Sequence, residues 1–313
     1  MSQPERILIV KLSALGNVIL SLGPFAAIRA HHPGAEIAVL TTPPYAGWLA
    51  RAPWFDRTIA DGRPAWWNIA GMLKLRTALR AGGFTRVYDL QTSGRSSRYL
   101  RFFPVNARPE WSGIAAGASH PHIVPPGTWM HDIDRQYAQL AVAGITERAA
   151  VDLSWSTADL SRFALPPRIV LLVPGSSAHR PGKRWPASRY GELAVWLVAR
   201  GMTPVVVGTA DEAPLAQPIK AAAPETIDLT GRTTLPELTE LTRAAALAIG
   251  NDTGPLHLAA AAGCASVVLF SHHSDPNLCA PRGRLVRTLR AANLAALPLT
   301  AVTDAIDEAL NAG

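Results

Sequence analysis

Cysteine is scarce: the 313 residues hold only Cys264 and Cys279. Two thiols exclude a disulfide scaffold and leave too few ligands for a cysteine-rich zinc site. No apolar run reaches the roughly 18–20 residues of a membrane span. Met1 to Arg6 lacks the basic, apolar and small-residue segments of a signal peptide, so the expected location is cytoplasmic. Charged residues make up only 17% of the chain against 48% hydrophobic, a globular balance and not a disordered one. The dinucleotide fingerprint GxGxxG is absent, as are GxSxG and HExxH, which argues against α/β-hydrolase and zinc-protease chemistry. Acidic residues are short in the first half. Residues 1–165 carry 17 Lys+Arg against 11 Asp+Glu, and the remainder carries 13 against 12. That excess points to an anionic partner (nucleic acid, anionic lipid or an acidic sugar) or to an Arg-rich solvated surface.

What is present is a rhythm of short apolar runs and helical stretches. Arg6–Lys11, Glu36–Thr41, Arg57–Ala60 and Arg86–Gln91 read as strands, with helical patterns over about 17–31 and 66–79 between them. After an unpatterned stretch from Ile145 to Pro167, the rhythm restarts. Strands are expected at 168–173, 203–208, 246–250 and 265–270, with helices over 188–200, 212–222, 235–245, 256–262 and 302–310. Alternating βα units predict an α/β chain of two doubly wound, parallel-sheet domains. We expect them to cover residues 1–160 and 161–313. His131–Val142 is a further helix. Its Asp132 and Asp134 form a DxD, a metal–diphosphate pattern that also suits a helix N-terminus electrostatically.

Three segments combine a strand end with glycine and polar residues, where open α/β sheets bind ligands. Lys11-Leu-Ser-Ala-Leu-Gly16-Asn17 opens a helix, with Ser13 as an anion-site residue or a simple helix cap. Val173-Pro-Gly-Ser176-Ser177 leads through His179 and Arg180 to Lys183-Arg184-Trp185. Hydroxyls, N–H groups and a lysine converging on one loop suit a diphosphate, or else the loop is merely basic and solvated. It is no P-loop, since six residues separate Gly175 from Gly182-Lys183 where that motif has four. Asn251-Asp252-Thr253-Gly254-Pro255-Leu256-His257 places several N–H groups at a helix start. His257 lies about one turn in, facing the site or serving as a core or capping residue.

Together these segments resemble glycosyltransferase family 9, the ADP-heptose:lipopolysaccharide heptosyltransferases. The resemblance runs from Ile7–Lys11 with Leu15-Gly16-Asn17, through Val173–Ser177 with Lys183–Pro186, to Asn251–Gly254 with Leu256-His257. Asp89-Leu-Gln91 and His131 with Arg135 match family features as well. The resemblance implies a GT-B fold, two Rossmann-like domains facing across a cleft, with the last helix returning to the first domain. It implies metal-independent, inverting transfer of heptose from ADP-heptose to an inner-core lipopolysaccharide hydroxyl, with no cofactor. Gly16, Ser176, Ser177, Lys183, Glu212, Asp252, Thr253, Gly254 and His257 would hold the nucleotide sugar. Glu212 would take its ribose, and Lys183 would also stabilise the leaving ADP.

The acceptor bears carboxylates and phosphates, and Arg63, Arg95, Arg98 and Arg101 of the basic domain suit it. Such a domain also suits peripheral contact with anionic lipid at the inner membrane. Trp66-Trp67 reads as the anchor of a core helix or as part of that contact. Nucleic acid is not the expected partner. Two departures from the family pattern stand out. Asn17 occupies the position of the family's Asp general base, and an amide cannot accept a proton at neutral pH. Asp89 or His272-His273 are the substitute bases the sequence offers. Ser271-His272-His273-Ser274 replaces the usual Gly-Pro-Thr/Ser ahead of Asp275-Pro276. A catalytically weak or inactive relative that binds nucleotide sugar is therefore the alternative, and a GT-B epimerase a more distant one.

Overall fold

Arg6–Val10 (β1) forms the centre of a sheet in the first of two units, residues 1–155 and 156–313, into which the chain divides in the computed structural model. The structure describes residues 5–125, 127–176 and 181–312. Ile7 to Val10 are fully buried, as a run apolar on both faces requires in a parallel sheet with helices on each side. The other strands of this sheet are β2 (Glu36–Thr41), β3 (Arg57–Ala60), β4 (Arg86–Asp89), β5 (Glu110–Gly113) and β6 (His120–Pro121). Their order is β3-β2-β1-β4-β5-β6, all parallel. Register pairs Val10 with Leu40 on one side and with Asp89 on the other.

The second unit repeats the plan. Its strands are β7 (Ile169–Val173), β8 (Thr203–Val206), β9 (Ile227–Asp228), β10 (Leu247–Asn251), β11 (Ser266–Phe270) and β12 (Val286–Arg290). They run parallel in the order β12-β11-β10-β7-β8-β9. Counted from its own first strand, each sheet has the order 3-2-1-4-5-6 of a Rossmann fold. Strand order reverses between β1 and β4 in one unit and between β7 and β10 in the other. The sequence motifs follow the carboxyl ends of these four strands.

The units part at Trp155, ahead of the boundary expected at 160. Trp155 packs on Trp48 and Trp54, with ring centroids 5.0 and 5.8 Å away. Ser156 already belongs to the second unit, where its Oγ donates to Thr239 Oγ1 and its carbonyl accepts from Arg243. The last helix, Leu299–Asn311, buries Val302, Ala305, Ile306 and Ala309 in the second unit's own core, so its apolar stripe has its partner there. No helix among the described residues is long and apolar enough to cross a membrane. Trp66 and Trp67 are not core anchors: Trp66 is 40% and Trp67 86% exposed.

Candidate functional site

In the second unit the site is built around a buried amide. Register sets Gly250 beside Val173, which brings Asn251 alongside Pro174. Asn251 is fully buried. Its Nδ2 donates to the carbonyls of Pro174 and Gly175 at 2.8 and 3.2 Å. Its Oδ1 accepts from Trp185 N at 2.9 Å and from the Tyr190 hydroxyl at 3.2 Å. Every donor and acceptor of the amide is used, so three separate loops are fixed to one point.

Held in this way, Lys183 meets Asp252: Nζ lies 2.7 Å from Oδ2, with both side chains nearly buried. His257, on the helix Gly254–Ala261, puts Nε2 at 3.7 Å from the other carboxylate oxygen, an ion-pair distance rather than a hydrogen bond. Burial pushes the Asp252 carboxyl up, but His257 and Lys183 outweigh it and hold the group at about 2. Asp252 is thus an ionised acceptor at neutral pH, suited to sugar hydroxyls. Thr253 is the helix N-cap, yet its side chain makes no capping bond. Helix N–H groups, that hydroxyl and Lys183 together suit an anion. His257 Nδ1 is buried with no hydrogen-bond partner.

Glu212 completes this end of the sheet. One carboxylate oxygen accepts from Thr209 N at 2.8 Å in a capping box. The carboxylate lies against Gly175, where a Cβ would come within 1.9 Å of Oε1. Glycine there is what lets Glu212 reach the β7 turn. Ser176 is buried, and its Oγ and carbonyl accept from Arg184 at 3.2 and 3.0 Å. Ser177, His179 and Arg180 lie outside the described residues. His273 rests against the backbone of Gly182, whose absent Cβ would sit 2.5 Å from its Nε2. The unusual segment after β11 therefore touches the loop that carries Lys183. His272 Nδ1 lies 2.5 Å from the Ala292 carbonyl.

In the first unit, Gly16 and Asn17 sit on the short helix Leu15–Ile19 just beyond β1. Ser13 does not cap that helix; the cap position is Ala14, with no side-chain bond. The β1 loop is held instead by Gln91, whose Oε1 accepts from Leu12 N and Ser13 N at 2.8 and 3.2 Å. Arg63 NH1 approaches Ser13 Oγ at 3.3 Å. Its backbone is in the left-handed region, φ 50°, where Asp61 Oδ1 accepts from Arg63 N at 2.7 Å. Asp61 is itself buried and also accepts from Tyr99 OH, so Arg63 is aimed by a fixed turn. Arg95 is engaged internally, donating to the Pro64 carbonyl at 2.8 Å and to Tyr99 OH at 3.3 Å. Arg98 stacks on Trp66 at 5.0 Å. Of these three arginines, Arg63 alone reaches the β1 loop.

Lys11 and Asp89 occupy the switch point itself. Lys11 Nζ donates to the Leu90 carbonyl at 3.0 Å, and burial lowers its pKa to about 8. Burial raises the Asp89 carboxyl to about 7 against bonds that lower it, and its Oδ2 has no hydrogen-bond partner. Asp132 and Asp134 are each paired with an arginine, Arg135 and Arg148, at 2.9 Å. Among the described residues no group of three or more His, Cys, Asp or Glu is placed to hold a metal ion.

Comparison with known proteins settles the family. The model of glycosyltransferase family 9 (heptosyltransferase) matches residues 72–308. The chain belongs to that family. It is 27% identical over 309 residues to lipopolysaccharide heptosyltransferase 2 of Salmonella typhimurium, covering 91% of this chain and 88% of that one. The Escherichia coli K12 protein of the same name matches to the same extent. Among solved structures, a family 9 glycosyl transferase from Veillonella parvula superposes with a TM-score of 0.86 at 20% identity, over 100% of this chain and 99% of that one. The E. coli ADP-heptose heptosyltransferase II gives 0.81 at 22% identity, covering 97% and 98%. The fold is thus that of the GT-B heptosyltransferases, with two Rossmann-like units. The residues expected at the site gather within each unit: Gly175, Ser176, Lys183, Glu212, Asp252, Thr253 and His257 at the β7/β10 end, and Gly16, Asn17 and Arg63 near the β1 end. Sequence reading placed Asn251 and Gln91 in motifs without seeing that they are staples, and missed Asp61, because an amide or carboxylate used internally has the same letter as one used on a ligand.

Proposed function

We propose that this family 9 glycosyltransferase moves heptose from ADP-heptose to a hydroxyl of an inner-core lipopolysaccharide acceptor, without a metal and with inversion. The arrangement that carries the reading is Lys183 and Asp252 held between the β7 turn and the Thr253-capped helix. The names of the relatives, lipopolysaccharide heptosyltransferases, support the donor and acceptor classes. In this reading Lys183, Ser176, Ser177 and the N–H groups at Thr253 and Gly254 take the diphosphate. Asp252 accepts from the sugar hydroxyls with His257 behind it, and Glu212 takes the ribose hydroxyls. Gly16, Arg63, Arg95 and Arg98 belong to the sugar and acceptor side. The enzyme works in the cytoplasm, where it meets an acceptor anchored in the inner membrane.

The acceptor oxygen forms the new bond to the anomeric carbon as the bond to the ADP oxygen breaks on the opposite face. Lys183 stabilises the negative charge that develops on ADP. The acceptor proton must leave, and since the Asn17 amide cannot take it, it passes to solvent water. Asn17 retains the shape to hydrogen-bond the hydroxyl, so transfer is slow while donor binding persists. That same residue favours a second reading, a relative that binds nucleotide sugar without turnover. Calorimetric titration tests the donor: ADP-heptose and ADP should bind, and UDP-N-acetylglucosamine should not. Preference for the uridine nucleotide would favour an epimerase-like protein and remove the proposal.

A further inference from the structure

Exposed apolar surface is distributed very unevenly. Among the described residues thirteen large apolar side chains are exposed, and twelve lie in the first unit; only Val195 is in the second. The same unit holds the excess of positive charge. Residues 62–109 contain nine Lys and Arg and a single acid, Asp89, which is fully buried.

The two features coincide at the helix Ile69–Ala81. Its inner face buries Leu75 and Leu79, while Ile69 and Leu73 are 70% and 51% exposed. Asn68 caps it by accepting from Gly71 N at 2.9 Å. Gly71 allows a tight turn: a Cβ there would lie 2.8 Å from Pro64 Cβ and 3.1 Å from the Asn68 amide. This built turn carries Trp66 and Trp67 outward. Trp66 has the guanidinium of Arg95 at 4.9 Å and that of Arg98 at 5.0 Å from its ring. Trp67 beyond it is 86% exposed. Lys74 is exposed on the helix, and so is Arg101 on the neighbouring turn Tyr99–Phe102. An aromatic tip with two guanidinium groups on it, exposed apolar and basic side chains on the adjoining helix and turn, and no exposed acid within residues 62–109 has the chemistry suited to an anionic membrane surface.

We infer that this face docks on an anionic lipid bilayer, with Trp67, Ile69 and Leu73 entering the headgroup boundary and Lys74 and Arg101 meeting lipid phosphates. The inference deepens the transfer reading by naming the surface through which a membrane-borne acceptor is approached. Its test uses neither donor nor acceptor, so the two can fail separately. The full-length protein is sedimented with phosphatidylcholine vesicles with and without phosphatidylglycerol. Binding should require the anionic lipid and weaken with salt. Each of Lys74→Gln and Arg101→Gln should lower it about fivefold. Trp67→Ser should lower it further while leaving thermal unfolding unchanged, and quenching by brominated lipid should fall in Trp67→Phe. Equal binding to both vesicles, or binding untouched in Trp67→Ser, would overturn the inference. So would loss of duplex DNA binding in these variants without any vesicle binding, which would assign the patch to nucleic acid.

Discussion

In the proposed transfer, residue 17 is expected to set the rate. A general base typically contributes about 10²–10⁴-fold, and Asn17 supplies none of it. Asn17→Asp is expected to raise turnover by a large part of that range with little change in donor affinity. Brisk transfer by the native protein, slowed by Asn17→Asp, would put the base elsewhere. Lys183→Ala should weaken ADP binding roughly ten- to a hundredfold, measured by calorimetry, since a charge-assisted contact is worth about 1.5–3 kcal/mol. Asp89 makes a prediction in pH. Its carboxyl is raised from 3.8 to about 7 by burial. The folded state therefore holds that proton more tightly than the unfolded one. The stability this gives is full below the ordinary value and is lost as pH rises through about 7. Asp89→Asn, neutral throughout, should gain on the native protein between pH 4 and 7, by at most about 4 kcal/mol, and level off above. Thermal unfolding across that range measures it, and a pH-independent difference would contradict the buried, raised carboxyl.

At the level of elements, most of the legible strands are buried on both faces, with the edge strand Arg57–Ala60 an exception. Glu36–Thr41 and Arg57–Ala60 have the bounds read from their letters, and the central strands β1, β7, β10 and β11 lie within a residue or two of expectation. Continuous apolar runs bounded by turns carry that signal. The strands β5, β6, β9 and β12 do not stand out, being short or of mixed composition at or near sheet edges. The Pro-rich stretch containing β6 reads as irregular because Pro121 cannot donate to a ladder, which an edge strand tolerates. Loop staples were invisible for a different reason. Asn251 works through four bonds to segments far away in sequence, and no local pattern reports them. Asn251→Ala would leave Trp185 N and two carbonyls without their partner, at a cost of roughly 2–4 kcal/mol. A lowered melting temperature together with weakened ADP binding is the expected result. Normal stability in that variant would mean the loops are held by other contacts.

Over the whole molecule, the family could be read from three motifs because each follows a strand beside a switch point, and that placement is repeated in both units. The uneven charge was also readable from composition. Its meaning was not, since a count cannot say that Trp66 and Trp67 stand outside the core rather than within it. In the proposed transfer Lys183 and helix N–H groups compensate the charge of the leaving ADP, so turnover should be unchanged in chelator and not raised by manganese. Loss of activity in chelator, restored by manganese, would return attention to Asp132 and Asp134. The most direct measurement is a transfer assay with ADP-heptose and a truncated inner-core acceptor, run on the native protein and on Asn17→Asp. ADP release and acceptor mass are followed together. The account predicts a heptose-mass gain matching ADP release, slow in the native protein and faster by about 10²–10⁴-fold in Asn17→Asp. No heptosylated product from either protein, with no ADP-heptose binding by calorimetry, would contradict it.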